Sequence, residues 1–212
     1  MSTKMDLKKE IGKLSLRRDE VAILVIDMQN DLIDEKGKFV SKGLPSMAKD
    51  IIEPLSRVIQ AARKVKIPIV YTKAVYRSDY LDGPRTFIMS RKLGALIKGS
   101  WGSEIIEKIK PQEGDFIVEK HRFSAFYNTD LEIILRGLDV KTLIMMGVAT
   151  NVCVESTVRD AQFRDFNVIV LKDCTASFNH EMHETSLKCI EGFFGVVSTS
   201  KDIINMIEER NQ

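Results

Sequence analysis

Three reactive side chains follow apolar segments of this 212-residue chain, and their chemistry is complementary. Asp27 follows the segment VAILVI, Lys120 ends the segment FIVEK, and Cys153 comes shortly after LIMMGV. A thiol can attack a carbonyl carbon, a carboxylate can take the thiol proton and return it to a leaving amine, and an ammonium can stabilise the negative charge. The three residue types together predict acyl transfer through a covalent intermediate.

Cys153 also lies where a helix is predicted to begin, within GVATNVCVESTVRDA at 147–161. The positive end of a helix dipole and a nearby cation both lower the pKa of a thiol from its ordinary value of about 8.5. We therefore expect a lowered pKa for Cys153. Backbone N–H groups of the same turn could hold the oxyanion of a tetrahedral intermediate, an effect of about 3 kcal/mol for each donor.

Each of these residues also has an ordinary interpretation. A lone cysteine after a strand is often a buried apolar residue, a lone aspartate is often a turn residue, and a lone lysine is usually solvated. Cys153 could be a redox sensor if Cys174 approached it as a resolving cysteine. A pair between Cys153 and His121 is a further alternative, although Lys120 and His121 are neighbours on a strand and only one of them should face the site. Because Asp27, Lys120 and Cys153 end separate strands, they form the best candidate site.

The elements that position these residues are predicted from short apolar runs that alternate with helical patterns. The runs are continuous rather than alternating, as expected for strands buried on both faces of a parallel sheet. We predict an α/β fold, a three-layer α/β/α sandwich with a six-stranded, mainly parallel, Rossmann-like sheet. Ligands of such sheets bind at the carboxyl ends of the strands, where the three reactive residues converge. The predicted strands are 21–27, 67–72, 116–120, 141–148, 167–172 and 196–199.

Helical patterns fill the intervals between the predicted strands. Ser46 and the pair Asn128-Thr129 are start signals for two of them. The stretch 74–102 is long, irregular and rich in Gly, Pro, Arg and aromatic residues, which is typical of a lid or an interface element. A plain surface excursion is the alternative. The predicted helices are 46–65, 103–109, 129–137, 150–165, 181–194 and 200–210.

The composition is that of an ordinary globular protein, with 44% hydrophobic and 29% charged residues and a formal net charge of +2. We expect one domain over 1–212, with 1–19 as an N-terminal extension. The interleaved charges predict no nucleic-acid partner, and the apolar runs are too short to cross a membrane. The N-terminus lacks the apolar region of a signal peptide, and the three cysteines have no C-x-x-C spacing, so we expect a cytoplasmic location.

Several other chemistries lack their motif. The chain has no G-x-G-x-x-G after a strand and no G-x-x-x-x-G-K-[ST], so a phosphate-binding loop is not predicted. It has no G-x-S-x-G elbow for a serine hydrolase. His180 and His183 form H-E-M-H, one residue short of the zincin spacing, and are expected at a solvated helix start.

At these residues the sequence resembles the isochorismatase-like cysteine hydrolases. The resemblance runs from about residue 20 to near residue 200. It is carried by three distinctive blocks in this order: VIDMQNDL at 25–32, VEKHRFSAFYNTDLE at 118–132 and GVATNVCVESTVRDA at 147–161. The resemblance implies a single domain of that hydrolase fold.

The resemblance also assigns roles to the three reactive residues. It implies Asp27 as the general base, Lys120 as the charge stabiliser and Cys153 as the nucleophile. It further implies a cis peptide between Val148 and Ala149, with the backbone N–H groups of Ala149 and Cys153 forming the oxyanion hole. Isochorismatases proper, which hydrolyse a vinyl ether, need not have the cysteine. Its presence here therefore favours amide or ureide hydrolysis through a thioester.

The region after the second strand distinguishes branches of this family. Nicotinamidases bind a metal there through an Asp-x-His pair, but this chain reads YTKAVYRSD and has no histidine before position 121. We therefore expect no metal and no other cofactor. The segment 98–129 resembles ureidoacrylate amidohydrolases and related enzymes, which remove a terminal carbamoyl group and release carbon dioxide and ammonia. That branch tends to carry an amide side chain where this chain has Lys73-Ala74-Val75-Tyr76, so the exact ureide stays open.

Five residues near the predicted strand ends or in the 74–102 stretch are candidate substrate contacts. An arginine suits a substrate carboxylate through a bidentate contact. The aromatic candidates could equally pack in the core or at a subunit interface. The glutamine could orient the base or hold the turn after the first strand. The candidates are Gln29, Tyr76, Trp101, Arg122 and Tyr127.

The expected function is a cysteine-dependent amidohydrolase that cleaves a small carbamoyl, ureido or amide compound and releases ammonia. Its expected partners are a small-molecule substrate and further copies of itself, as a dimer or tetramer in which 74–102 could cover a neighbour's pocket. One alternative is an isochorismatase-type or other small-amide hydrolase of the same family. Another is a non-catalytic binding protein on this fold, whose hallmark would be the loss of one of the three reactive residues.

Overall fold

A single parallel sheet of six strands organises the computed structural model, which describes residues 17–42, 49–86 and 89–209. All five strand pairs are parallel. The strands are β1 Val21–Ile26, β2 Ile69–Ala74, β3 Phe116–Lys120, β4 Thr142–Val148, β5 Asn167–Ala176 and β6 Val196–Ser198. They lie in the order β3-β2-β1-β4-β5-β6. The predicted α/β fold class and all six predicted strands are confirmed.

Helices and short helical turns connect the strands. The α-helices are α1 Asn30–Ile33, α2 Lys49–Lys64, α3 Met89–Leu93, α4 Leu131–Gly137, α5 Glu155–Gln162, α6 His180–Phe193 and α7 Ser200–Glu209. Short 3₁₀ turns occur at Val40–Lys42, Trp101–Ser103 and Glu107–Ile109, and a π-helical turn spans Thr150–Val154. Within the described residues, no helix is long and apolar enough to cross a bilayer.

The two faces of the sheet carry two separate apolar clusters. Every residue of β1, β2 and β4 is buried, which explains why these strands are continuous apolar runs in the sequence. One cluster packs side chains of α2 and α7 against the sheet, and the other packs side chains of α4, α5 and α6. The sheet is therefore the middle layer of a sandwich, as predicted.

The predicted helix 103–109 is wrong, and tertiary hydrogen bonds explain why. The Asn30 N–H donates to the Glu104 carbonyl at 2.9 Å, and the Ile106 N–H donates to the Met28 carbonyl at 3.0 Å. These bonds hold the backbone beside the turn after β1, where it cannot form helical bonds with its own neighbours. Two short 3₁₀ turns flank this segment instead.

Other boundaries differ by a few residues. The predicted helix 150–165 is divided into the π-helical turn and α5, and β5 continues four residues beyond its predicted end. The short helices α1 and α3 were not predicted. Thr129 supports the start of α4, since its hydroxyl accepts from the Leu131 N–H at 3.2 Å. Ser46 and residues 1–16 of the predicted N-terminal extension lie outside the described residues.

The strand order reverses beside β1, and this reversal creates the crevice that holds the candidate site. The chain runs from β1 outward to β2 and β3, and then returns to place β4 on the other side of β1. Ile26, the last residue of β1, is paired with Thr72 on one side and with Gly147 on the other. Side chains that follow β1 and β4 therefore meet at a topological switch point, where open α/β sheets bind ligands.

Gly147 is required for the close approach of these two strands. Its φ is +121°, a conformation that residues with a side chain rarely adopt. A Cβ atom at this position would lie 2.1 Å from the carbonyl oxygen of Ile26. Only glycine allows β4 to approach β1 so closely before the chain turns toward Cys153.

Candidate active site

Asp27 lies directly after β1 with its side chain fully buried. Its backbone has a positive φ of 51°, so the chain turns sharply as the strand ends. The Thr72 hydroxyl donates to Oδ1 at 2.6 Å, and the Asp27 N–H donates back to the Thr72 Oγ1 at 3.2 Å. This reciprocal pair fixes the carboxylate at the carboxyl edge of the sheet.

Lys120, the last residue of β3, reaches this carboxylate with a side chain that is also fully buried. Its Nζ lies 2.7 Å from Asp27 Oδ2, in an ion pair whose approach is poorly aligned for a hydrogen bond. The same ammonium donates to Cys153 Sγ at 3.3 Å and to the Arg122 carbonyl at 3.1 Å. The ammonium thus makes two hydrogen bonds and one ion pair.

The charge of Lys120 is retained despite its burial. Burial alone would lower its pKa, but the Asp27 carboxylate beside it, with a smaller contribution from Cys153, outweighs burial and raises the pKa above its ordinary value. Lys120 is therefore a permanent cation at neutral pH. This residue is not the solvated lysine of the ordinary interpretation.

Cys153 lies in the π-helical turn between β4 and α5. The Thr157 hydroxyl donates to the Cys153 carbonyl at 2.6 Å and so ties this turn to α5. Burial raises the pKa of the thiol to about 12; Lys120 acts in the opposite direction, and the Asp27 carboxylate raises the pKa further. The expectation of a lowered thiol pKa is therefore wrong, because burial in this site exceeds the effect of the neighbouring cation.

The raised pKa has a chemical consequence. The thiol holds its proton in the resting site, and the thiolate must form as the carbonyl carbon is attacked. A fully buried carboxylate beside the thiol can accept that proton, and Lys120 lies within contact distance of both groups. The arrangement is suited to proton transfer coupled to nucleophilic attack.

The turn before Cys153 has two further features. The peptide between Val148 and Ala149 is cis, as the family resemblance implied. A buried hydrogen bond of 2.8 Å joins the Thr150 hydroxyl to His183 Nδ1 on α6. His183 is only 8% exposed, so the prediction that it lies at a solvated helix start is wrong. Sequence reasoning missed this residue because it contacts the turn only through the tertiary fold.

A cavity of about 390 Å³ opens over the three reactive side chains. Asp27, Lys120 and Cys153 line it together with Ala149 and Tyr76. Burial raises the pKa of the Tyr76 phenol to about 12, so its hydroxyl keeps its proton at neutral pH. The predicted reactive residues, the predicted oxyanion-hole residues and one predicted substrate contact therefore surround one space.

Gln29 is buried behind this cavity rather than on its surface. Its amide donates to the carbonyls of Ala74 and Ser103, at 2.9 and 2.8 Å, and its Oε1 accepts from the Ala74 N–H at 2.9 Å. These bonds join the end of β1 to the end of β2. Gln29 holds the turn that carries Asp27, one of the two roles expected for it.

The other three predicted contacts lie outside the lining of the cavity. Trp101 and Tyr127 are about half exposed, at 52% and 53%. The Arg122 guanidinium donates to the carbonyls of Asp82 and His121, each at 2.7 Å. A role for these three side chains in substrate binding stays a prediction.

The two alternatives for Cys153 receive no support from the geometry. His121 Nδ1 lies 2.7 Å from the Val75 carbonyl, and His121 is absent from the cavity lining. Cys174 is fully buried in the cluster on the α2 and α7 face of the sheet, whereas Cys153 packs against the cluster on the other face. All three cysteines are free.

The walls of the cavity are mostly apolar side chains that sequence reasoning missed. They come from distant parts of the chain, and the main ones are Leu32, Phe39, Leu96, Phe123, Phe178 and Met182. One signal was available for Phe178, which follows β5 at the same edge of the sheet as the reactive residues. The remaining wall residues carry no local signal that separates them from core residues.

No cluster of three or more His, Cys, Asp or Glu side chains suited to a metal ion occurs in the part of the chain that the structure describes. Lys120 occupies the centre of the site and supplies its positive charge. The described donor set around Cys153 is therefore one carboxylate, one thiol and one ammonium.

Comparisons with known proteins identify the family of this chain. Residues 21–202 match the isochorismatase domain family. A ureidoacrylate amidohydrolase from Acinetobacter baylyi is 32% identical over 223 residues, covering 97% of this chain and 91% of that protein. A cysteine hydrolase from Pseudomonas syringae pv. phaseolicola is 31% identical, with a TM-score of 0.85 over 93% of this chain and 96% of that one. An N-carbamoylsarcosine amidase from Thermoplasma acidophilum is 29% identical, with a TM-score of 0.72 over 85% and 96% of the two chains.

Proposed function

Since this chain belongs to the isochorismatase family and is an amidohydrolase, we propose that it cleaves the terminal carbamoyl or amide group of a small compound through a covalent bond to Cys153. The observation that carries this proposal is the contact of one buried ammonium with both a carboxylate and a thiol at the floor of a cavity. Two of the similar proteins are named for substrates that contain a carbamoyl or ureido group. That shared group defines the substrate class proposed here.

The first step forms the covalent intermediate. Asp27 takes the thiol proton while Sγ attacks the carbonyl carbon, and Lys120 stabilises the negative charge that develops at sulfur. The tetrahedral intermediate then collapses, the carbon–nitrogen bond breaks, and Asp27 returns the proton to the leaving nitrogen. Ammonia departs, and the acyl or carbamoyl group stays on Cys153.

The second step regenerates the thiol. Asp27 takes a proton from water, and the resulting hydroxide attacks the bound carbonyl carbon. The carbon–sulfur bond breaks, and the proton on Asp27 passes to the departing thiolate. A carboxylic acid is released from an amide; a ureide releases a carbamic acid, which decomposes to an amine and carbon dioxide.

Backbone N–H groups stabilise the oxyanion in both steps. We assign this role to Ala149, which precedes the π-helical turn, and to Cys153 within it; both residues line the cavity. Each donor of this kind typically contributes about 3 kcal/mol to the stabilisation of the transition state. The protonated hydroxyl of Tyr76 lines the same cavity and is placed to orient the substrate carbonyl or amide.

Two further properties are part of the proposal. The three cysteines are free, which accords with a reducing compartment and supports a cytoplasmic location. The exposed aromatic side chains of Trp101 and Tyr127 support assembly into a homo-oligomer, since such side chains are enriched at protein interfaces.

The experiment that tests this function is ammonia release from a panel of small substrates. Ureidoacrylate, N-carbamoyl amino acids, biuret and nicotinamide are incubated with the wild type, Cys153→Ala and Cys189→Ala. Cys189 is a matched control, because it is a free cysteine on α6 that does not line the cavity. We expect the wild type and Cys189→Ala to release ammonia equally and Cys153→Ala to release none.

Mass spectrometry identifies the covalent step directly. Rapid acid quenching during turnover should yield an acyl or carbamoyl adduct on the peptide that contains Cys153, and not on the peptide that contains Cys189. Ammonia release that persists in correctly folded Cys153→Ala would contradict the assignment of the nucleophile.

A further inference from the structure

Among the residues that the structure describes, no charged side chain outside the reactive group lines the cavity over Cys153. The charged residues that line it are Asp27 and Lys120, which neutralise each other at 2.7 Å. Both are fully buried and belong to the reactive group itself. A carboxylate that entered this space would therefore meet no unpaired cation among the lining residues.

Three cationic side chains in the segments around the cavity, Arg122, Arg91 and Lys38, lie outside its lining and donate to carbonyl groups of the chain, although the charge of Arg122 still acts on the phenol of Tyr76. The Arg122 guanidinium donates to two carbonyls, as described above, and the Arg91 guanidinium donates to the Tyr80 carbonyl at 2.9 Å. Lys38 donates to the Gly94 carbonyl. The internal segments outside the described residues, 43–48 and 87–88, contain no charged residue in their sequence.

The walls of the cavity favour an apolar group instead. Phe39 and Phe178 stack with ring centroids 6.4 Å apart, and both line the cavity together with Leu96. Two of the polar wall residues already have partners within the chain. The Ser177 hydroxyl donates to Asn151 Oδ1 at 2.5 Å, and the Asn179 side chain accepts from the Met182 N–H at 2.8 Å.

From this lining we infer that the substrate is a small ureide or amide whose remaining part is uncharged and apolar, such as a branched alkyl or aryl group. The inference rests on the proposed function, since the reactive group fixes which end of the substrate lies at Cys153. An apolar group gains free energy as it leaves water in this cavity. A carboxylate would lose its hydration without gaining a cationic partner among the lining residues, which is unfavourable.

A matched pair of ureides tests the inference. Isopentylurea and N-carbamoyl-β-alanine share the same ureido group and chain length, and they differ in that a branched dimethyl end replaces a carboxylate. We expect kcat/KM for isopentylurea to exceed that for N-carbamoyl-β-alanine by more than about 100-fold. Equal or greater kcat/KM for the carboxylate would overturn the inference and leave the proposed amidohydrolase function intact.

Binding to Cys153→Ala separates this inference from the proposed function. Calorimetric titration of that variant measures affinity for both ureides without turnover. Preferential binding of isopentylurea supports the apolar specificity, even if wild-type enzyme releases no ammonia from it and the proposed function fails. Absence of binding by either compound, or tighter binding of the carboxylate, overturns the inference.

A substitution at the cavity wall provides an independent test. Met182 lines the cavity and is 48% exposed, so a longer polar side chain at this position can reach both the cavity and solvent. The ratio of kcat/KM for N-carbamoyl-β-alanine to kcat/KM for isopentylurea should be at least about tenfold higher in Met182→Lys than in Met182→Gln. Met182→Gln is the control, because it introduces a polar side chain without a charge. An equal ratio in the two variants would count against a charge deficit as the cause of the preference.

Discussion

The buried ion pair between Lys120 and Asp27 offers a sharp test, because its effects on stability and on catalysis should separate. Both side chains are fully buried, and Nζ lies 2.7 Å from Oδ2. Lys120→Met removes the positive charge and keeps a side chain of similar length. The Asp27 carboxylate then keeps the hydrogen bond from the Thr72 hydroxyl at 2.6 Å but loses the counter-charge of Lys120.

The magnitude follows from the burial of both groups. Breaking a buried pair by removing one partner costs about 3–5 kcal/mol, whereas replacing both partners with uncharged groups of similar size is often close to neutral. We therefore expect Lys120→Met to lower the free energy of unfolding by about 3–5 kcal/mol. Asp27→Asn should cause a loss of the same order, since it leaves a buried ammonium. The double variant should lie within about 2 kcal/mol of the wild type.

Urea unfolding followed by circular dichroism measures the free energy of unfolding of the wild type, the two single variants and the double variant. A double-mutant cycle then gives the coupling energy between the two side chains. Ammonia release is measured on the same preparations. The single variants and the double variant should all be inactive, although the double variant regains most of its stability. The free energy of unfolding would then report how the two buried charges neutralise each other, and ammonia release would report their role in catalysis.

Additive losses in the double variant would refute this reasoning. If the double variant lost the sum of the two single losses, the pair would contribute no coupling, and burial of unpaired charge would not explain the instability. Full activity in Lys120→Met would equally refute the proposed role of the ammonium in stabilising the thiolate.

Two more predictions concern the elements that hold the site. Gly147→Ala should lower the free energy of unfolding by on the order of 3 kcal/mol or more, because the new Cβ would lie 2.1 Å from the Ile26 carbonyl oxygen at a φ of +121°. Gly192→Ala is the control, since Gly192 lies in α6 and a Cβ there would have no atom within 4 Å. It should be neutral or stabilising in the same urea titration. Burial lowers the pKa of His183, so between the unfolded pKa of about 6.5 and the lower folded pKa the unfolded chain binds a proton that the folded chain does not. The free energy of unfolding should therefore decline as pH falls through this range. Urea titrations at pH 5 and pH 7 should show this decline in the wild type and in the control His180→Gln, which replaces an exposed histidine, but not in His183→Gln. An equal decline in all three proteins would assign it to other groups.

The sheet was predictable because its strands are buried on both faces. The residues of β1, β2 and β4 are all buried, so these strands can be recognised in the sequence as continuous apolar runs. The end of β5 was missed because Lys172 and Asp173 interrupt its apolar run. Asp173 accepts hydrogen bonds from the backbone and the hydroxyl of Ser200, which a local pattern cannot reveal.

The reactive residues and the cavity walls differ in how far sequence can locate them. Asp27, Lys120 and Cys153 follow strand ends, and the geometry of a parallel sheet brings such positions to one edge. Phe39 and Leu96 belong to a third cluster formed by residues after β1 and β2, and their apolar side chains look like any others in the core. The reactive residues could therefore be located from the ends of the predicted strands, whereas the residues that line the rest of the cavity could be identified only from the fold.

The pKa of Cys153 shows why a local rule failed at the most reactive atom. A cation and a helical turn do adjoin the thiol, and both favour the thiolate. Burial and the neighbouring carboxylate act in the opposite direction and raise the pKa to about 12. Because the thiolate is the form that reacts with oxidants, a protonated thiol is protected while the site is empty. In the proposed mechanism this proton leaves when Asp27 accepts it during attack on a bound carbonyl, so we expect the reactivity of this cysteine to depend on bound substrate rather than on a thiolate in the resting site.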